Sequence, residues 1–167
     1  MQAALRTVVR AVDGINWIVG WFLAALLLIM SALISWQVFA RYVMGNSLSF
    51  SEEVSRFSMV WMAMLGAAFA YRQGSLISVD LLSSMSGPKV QRALSIAIAL
   101  ASLAFAWVLL DQGWAITERV ARQTAPSTRI SMAWLYGAMP VGAALIGLNA
   151  IAIIAEDLSG GKKAGRA

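Results

Sequence analysis

Four apolar runs, each closed by charged residues, set the limits on what this chain can become. Trp17 to Ala40 carries no charged residue, and Phe57 to Tyr71 is uncharged between Arg56 and Arg72. Ala93 to Leu110 runs from Arg92 to Asp111, and Ser131 to Ala155 stops at Glu156. Crossing the roughly 30 Å hydrocarbon core takes about 20 apolar residues in a helix, which satisfies its own backbone in lipid. The second run, about 15 residues or ~22 Å at the helical rise, is too short alone. Begun near Ser49 and continued to about Gln73 it suffices, provided the stems of Arg56 and Arg72 extend toward the two interfaces. Of the 167 residues, 60% are hydrophobic and 13% charged, against about 45–50% and about 25% in soluble domains. The expected fold is therefore an all-α integral membrane protein, a single domain over residues 1–167. Its four transmembrane helices fall at about 15–41, 50–73, 89–113 and 131–156, with a disordered basic tail over 158–167.

The first run is too long for a cleaved signal segment and continues into Trp36, Gln37, Phe39 and Arg41, so it is expected to be retained. Orientation follows from the basic residues in alternate connections. With the N-terminus inside, Arg6, Arg10, Arg72, Lys89, Arg92, Lys162, Lys163 and Arg166 lie inside, against Arg41, Arg56, Arg119, Arg122 and Arg129 outside. That bias of eight to five places both termini in the cytoplasm. Two amphipathic stretches suggest short interfacial helices. Leu5, Val8, Val9 and Val12 recur at helical spacing opposite Arg6, Arg10 and Asp13, the pattern of a helix in the headgroup layer. Ile77, Leu81, Leu82 and Met85 share one side of a second, with Asp80 as N-cap, before Gly87 and Pro88. Pro88 suits the first turn of the third span.

The chemistry open to this chain is narrow. It has no Cys and no His, which removes thiolate chemistry, the commonest general base and the commonest neutral metal ligand. The net charge of +5 is scattered between apolar blocks and does not form the stripe that nucleic acid needs. Neither a catalytic residue nor a cofactor or metal site is expected. Polar residues within the spans, among them Ser31, Ser35, Ser58 and Asn149, are expected to bond to backbone or a neighbouring helix. Ala63 with Ala67, Gly66 with Ala70, and Ala138 with Gly142 have the small-xxx-small spacing of close helix packing. Trp61 and Trp107 lie deep enough to be packing residues, and Pro140 is placed to bend the last span.

The most informative local sequence precedes the second span. Ser49 and Glu52 have capping-box spacing, so helix two is expected to begin there. Glu52 lies four residues and Glu53 three residues before Arg56, so both acids can reach its guanidinium. The stretch Phe50-Ser51-Glu52-Glu53-Val54-Ser55-Arg56 continues through Val60-Trp61-Met62 and Leu65-Gly66-Ala67-Ala68. It resembles the signature of the small, Q-type membrane subunit of tripartite ATP-independent periplasmic (TRAP) transporters, an aromatic residue, paired acids and Arg leading into a Gly-Ala-Ala helix. Gln37-Val38-Phe39-Ala40-Arg41-Tyr42 is similar to the family's end of helix one, and Arg72, Gly74 and Ile77 to Leu82 to its turn after helix two. Trp134, Tyr136 and Pro140-Val141-Gly142 match its last helix. The family commonly has His where this chain has Leu76, and often a basic residue where it has Ser78, so a role tied to that His is not carried over.

The resemblance implies a non-catalytic subunit of the bacterial inner membrane. Its partners would be a large multi-span permease subunit, which carries the substrate and sodium sites, a periplasmic substrate-binding protein, and membrane lipids, with no nucleic acid. Uptake of an organic acid would be sodium-driven, and the coupling ion would sit in the large subunit. Candidates for partner contact or helix capping are Arg41, Ser49, Glu52, Glu53, Arg56, Trp61, Gly66, Arg119, Arg122, Arg129, Trp134, Tyr136 and Pro140. Arg119, Arg122 and Arg129 fall in the outer connection, where they can meet the binding protein. Two other classes are weighed against this. A self-contained homo-oligomeric transporter would be expected to carry an intramembrane carboxylate, and a membrane enzyme convergent acid, base or metal groups. The orientation is open to direct measurement: a reporter active only in the periplasm, fused after Ala167, is expected to be silent, and a strong signal would reverse the assignment.

Overall fold

The computed structural model describes residues 2–45, 49–74 and 88–159. Helix α1 is Gln2–Val43, α2 Ser49–Gln73, α3 Pro88–Val120, α4 the single turn Ala133–Tyr136, and α5 Ala138–Ser159. Among the described residues the regular structure is otherwise one isolated bridge between Thr124 and Ser131. Four segments are long and apolar enough to cross a membrane: Thr7–Val43, Phe50–Gln73, Ala93–Val120 and Ala133–Glu156. The stretch containing Ile77 to Met85 and the tail from residue 160 onward lie outside the described residues.

Three boundaries differ from those read from the sequence, each for a local reason. The N-terminal amphipathic stretch is not a separate surface helix, because α1 is continuous over 42 residues. Gly14 is the weakest helix former before Trp17, and its cost of about 1 kcal/mol is too small to end the helix. The stripe begun by Val12 continues through Asn16, Val19 and Leu23 into the bundle. At the other side, α3 does not stop near residue 113 but continues to Val120, so Arg119 is helical and not in a loop. Thr117 Oγ1 bonds the Gly113 carbonyl at 2.7 Å and Trp114 Nε1 bonds Glu118 Oε1 at 2.7 Å within this extension. The last span, finally, is interrupted near its start: α4 ends at Tyr136 and α5 begins at Ala138, with Gly137 between them still right-handed helical (φ −58°, ψ −20°) and its N–H on the Ala133 carbonyl at 2.8 Å. Pro140 has no N–H to give the Tyr136 carbonyl, which interrupts the helical bonding at this point, as its expected place in the last span foreshadows. The helix runs on to Ser159, past the expected start of the tail.

Helix α5 is the centre of the molecule. It packs against α1, α2 and α3, whereas α3 packs chiefly on α5. Within its most apolar stretch 61% of the residues are buried, against none for α1. The contacts are made by small side chains: Ala138, Ala143, Ala150 and Ala152 are buried on α5, and Ala99 and Ala106 on α3. Gly113 continues the α3 series at the same seven-residue interval; a Cβ there would stand 3.1 Å from Met139 Cβ and 3.2 Å from Pro140 Cδ. Between lipid-immersed helices such close approach supplies the van der Waals contact that replaces a hydrophobic force. Where α1 joins, Leu65, Ala68 and Leu145 form a small core against Val19, Leu23, Trp61 and Ile146.

Of the three small-residue pairs read from the sequence, Ala138 with Gly142 is internal. A Cβ at Gly142 would lie 2.9 Å from Met64 Cβ and 3.2 Å from the Met64 carbonyl oxygen. Ala63 and Ala67 instead face outward, and a Cβ at Gly66 would meet nothing within 4 Å. These positions therefore separate in a thermal melt in detergent. Gly142→Leu forces α2 from α5 and is expected to cost about 1–3 kcal/mol, the usual range for overpacking, while Gly66→Ala leaves the midpoint unchanged or slightly raised.

Candidate functional site

Three groups of polar side chains tie the helices together. At the end carrying both chain termini, Arg72 on α2 lies between α1 and α5. Its Nε and Nη2 donate to Asp13 Oδ1 at 2.9 and 2.6 Å, and Nη2 also donates to Glu156 Oε1 at 2.6 Å. The Arg72 side chain is only 9% exposed. It does not extend into the headgroups, as its place at a span end suggested, but joins three helices through two carboxylates. Guanidinium suits this position, since its fixed fork of donors can serve two acids at once. The sequence did offer a signal: Asp13, Arg72 and Glu156 close three apolar runs on the same side, with opposite charges.

One to two turns deeper the same three helices meet again without charge. Asn16 Nδ2 donates to Asn149 Oδ1 at 2.7 Å and to the Val12 carbonyl at 2.8 Å. Asn149 Nδ2 returns a bond to Asn16 Oδ1 at 3.2 Å and reaches the Ala68 carbonyl of α2 at 2.8 Å. Asn149 is fully buried. Asn149 thus bonds to a backbone carbonyl and to a neighbouring helix, as expected of a polar residue within a span, and its side-chain partner is Asn16, which lies outside the apolar runs.

At the opposite end the paired acids divide their work. Glu52 Oε1 accepts from Arg56 Nη2 at 3.4 Å, an exposed contact of small energetic weight. Glu53 does not join it: its Oε2 accepts from the backbone N–H of Ser127 and Thr128 at 3.0 and 2.8 Å. Successive helical residues point about 100° apart, so adjacent acids cannot both face Arg56 and the loop. The loop held by Glu53 is folded on itself. Ala125 and Met132 donate to the carbonyls of Ile130 and Gln123 at 2.9 and 2.8 Å, and Arg129 takes φ +55° to close the turn. Trp61 Nε1 donates to the Trp134 carbonyl at 2.8 Å, tying α2 to α4. Trp61 is thus both a packing residue and a hydrogen-bonded brace.

The remaining candidates are not brought together. Arg41 is exposed in the last turn of α1, where a cation suits the helix dipole. Ser49 opens α2, and its hydroxyl lies outside the described side chains. Arg119, Arg122 and Arg129 are exposed, Trp134 and Tyr136 belong to α4, and Pro140 is buried against Gly113. Trp107, expected to pack, is instead 72% exposed.

One outward face differs from the others. Along α2 the exposed positions Glu52, Arg56, Met59, Ala63 and Ala67 form a single stripe, beside the open Gly66. Among the described α2 side chains the exposed large apolar ones are Phe50 and Met59, whereas α1 exposes Leu27, Leu28, Ile29 and Ile34 beside Ala24, Ala25 and Ala32, and α3 exposes Leu100, Phe105 and Val108 beside Ala97, Ala101 and Ala104. Large aliphatic groups suit lipid, whereas a face of Ala and Gly suits the close approach of another helix.

The sequence profile of the family described as tripartite ATP-independent periplasmic transporters, DctQ component, matches residues 30–160. The chain belongs to the DctQ family of small TRAP permease subunits. It is similar to the Vibrio cholerae sialic acid TRAP transporter small permease protein SiaQ, with 25% identity over 83% of this chain and 78% of that protein. It is also similar to the C4-dicarboxylate TRAP transporter small permease protein DctQ of the same organism, with 23% identity over 95% of this chain and 78% of the relative. Membership places the protein in the bacterial inner membrane and implies a tripartite system with a large permease and a binding protein. In this DctQ-family chain the matched region contains the Glu53 clamp, two members of the Arg72 clamp and the open α2 face; Asp13 and Asn16 precede it. The Arg72 clamp is the more demanding of the two ends. Arg72→Leu leaves Asp13 and Glu156 without their shared cation and is expected to cost about 3 kcal/mol, the low end for a broken buried pair because Asp13 is half-exposed. Thermal melting in detergent measures it, and Arg72→Lys should recover part of the loss.

Proposed function

We propose that this small permease subunit is a fixed, non-catalytic scaffold that pairs with a large multi-span permease subunit through the outward face of α2. The observation that carries this reading is the contrast between faces: on α2 the outward Ala63 and Ala67 and the open Gly66 have Met59 as their one large exposed apolar neighbour, while on α1 and α3 the outward Ala residues stand among many large ones. The use of span polar groups supports it. Asp13, Arg72 and Glu156 bind one another, as do Asn16 and Asn149, so these groups hold the subunit together and do not form a cargo site. Substrate and sodium sites then belong to the large subunit, and this chain needs no cofactor of its own. The transported compound is an organic acid, in keeping with the sialic acid and C4-dicarboxylate in the names of two relatives. A periplasmic binding protein delivers it on the side of the 121–132 loop, where Arg122 and Arg129 are exposed, and both termini are cytoplasmic.

Affinity purification from native membranes tests the pairing. Wild-type protein is expected to recover the large subunit in near-equal amount. Ala63→Leu with Ala67→Leu should reduce that recovery about tenfold, corresponding to the 1–3 kcal/mol of an overpacked contact. Leu28→Ala on the aliphatic face of α1 should leave it unchanged. Equal recovery from both variants would place the interface elsewhere, and a defined homo-oligomer without a partner would favour a self-contained transporter.

A further inference from the structure

Apart from the α2 face, one stripe of α3 carries chemistry that the packing of the chain does not consume. Trp107, Asp111, Trp114 and Glu118 follow at intervals of four, three and four residues. At ~100° per residue all four lie within about 60° around the helix. Two indoles and two carboxylates therefore alternate along one side of α3. Trp114 is 59% exposed, Trp107 more so, and both acids are exposed. Trp114 Nε1 holds Glu118 Oε1 at 2.7 Å, which fixes one indole against one acid.

Beside this stripe, between α3 and the first turns of α5, lies a groove of about 540 Å³. Trp107, Leu110 and Trp114 line it from α3, and Pro140, Val141 and Ala144 from α5, with Asp111 the one charged group in the lining. The groove sits where the apolar run of α3 ends at Leu110 and charge begins at Asp111, the depth at which hydrocarbon gives way to headgroups. Its volume falls within the ~300–1,000 Å³ of small-ligand sites. An apolar trough at that depth accepts an acyl chain. Indoles alternating with carboxylates recognise a cation, by cation–π attraction and charge-assisted hydrogen bonds. The combination calls for an amphiphile with hydrocarbon below and an ammonium group above.

We propose that this groove binds a phospholipid with a primary ammonium headgroup, phosphatidylethanolamine. An acyl chain lies between α3 and α5, and the ammonium group lies among Asp111, Trp114 and Glu118. Charge complementarity favours this occupant over a helix of the large subunit, which would set apolar side chains against two carboxylates and leave them desolvated without a partner. The same carboxylates disfavour phosphatidylglycerol, whose headgroup offers no cation.

Native mass spectrometry of the full-length protein in mild detergent tests the site, with phosphatidylethanolamine or phosphatidylglycerol of identical acyl chains added. Phosphatidylethanolamine adducts are expected at concentrations about tenfold lower than phosphatidylglycerol adducts, the scale of a cation–π contact joined to an ion pair. Asp111→Asn with Glu118→Gln keeps the shape, removes the charges and should abolish that preference. Ala144→Phe fills the trough and should abolish retention of either lipid. All three positions are exposed, so each variant should keep the wild-type melting midpoint. Equal affinity for the two lipids in wild-type protein overturns the proposal, as does a preference that survives the double substitution. A complex purified with its large subunit that holds no phosphatidylethanolamine sensitive to Ala144→Phe would show that protein, not lipid, covers this face.

Discussion

Between helices immersed in lipid there is no water to expel, so association has to come from fit. In this protein the fit depends on α5, whose small residues let three other helices approach its backbone. Gly142 against Met64 and Gly113 against Met139 and Pro140 are contacts in which a single methyl group leaves no room. Because α5 is the common neighbour, the bundle is not a square of equal helices. Helix α3 packs on it, α1 packs chiefly on α2 and less on α5, and both leave much of their own surface to the surroundings. That arrangement is poor for an isolated soluble protein and well suited to one embedded in lipid and attached to a larger partner.

Packing alone would leave the helices free to slide, and the polar groups restrict this. The Asn16–Asn149 pair, with its bond to the Ala68 carbonyl, has one register in which every donor finds an acceptor. Arg72 between Asp13 and Glu156 sets a second condition on the same three helices. Energetically an interhelical hydrogen bond such as those of the Asn pair is modest, about 0.6 kcal/mol on average. Their larger effect is on uniqueness, since any slip leaves a polar group unmatched in a medium without water.

The spans were legible because charge punctuates them: Arg56, Arg72, Arg92, Asp111 and Glu156 mark transitions that lipid enforces. Identical local patterns with different neighbours were not legible. Ala63-x-x-x-Ala67 and Ala138-x-x-x-Gly142 have the same spacing, yet one faces outward and the other lies against Met64. Glu52 and Glu53 are adjacent and chemically near-equivalent, and only the position of the 126–129 loop, some 75 residues away in sequence, distinguishes their roles. Arg72 invited a local explanation at a span end, while its two acids come from positions 59 and 84 residues distant. Helix α3 runs seven residues past the expected end of its span because a membrane boundary is not a helix boundary; a helix formed in lipid continues into water while its side chains permit.

The two clamps on α2 also have a mechanical meaning. Glu53 and Arg72 stand about 28 Å apart along the helix at 1.5 Å per residue, close to the thickness of the hydrocarbon core. Each clamp is charged and each joins separate parts of the chain, so neither can enter the lipid without breaking a junction of the fold. Together they act as a depth gauge, holding the subunit at one level in the bilayer. A thinner or thicker membrane would load the clamps by fractions of a kcal/mol per ångström. A partner that moves cargo across the membrane would then have, beside it, a reference that does not rise or sink with the stroke.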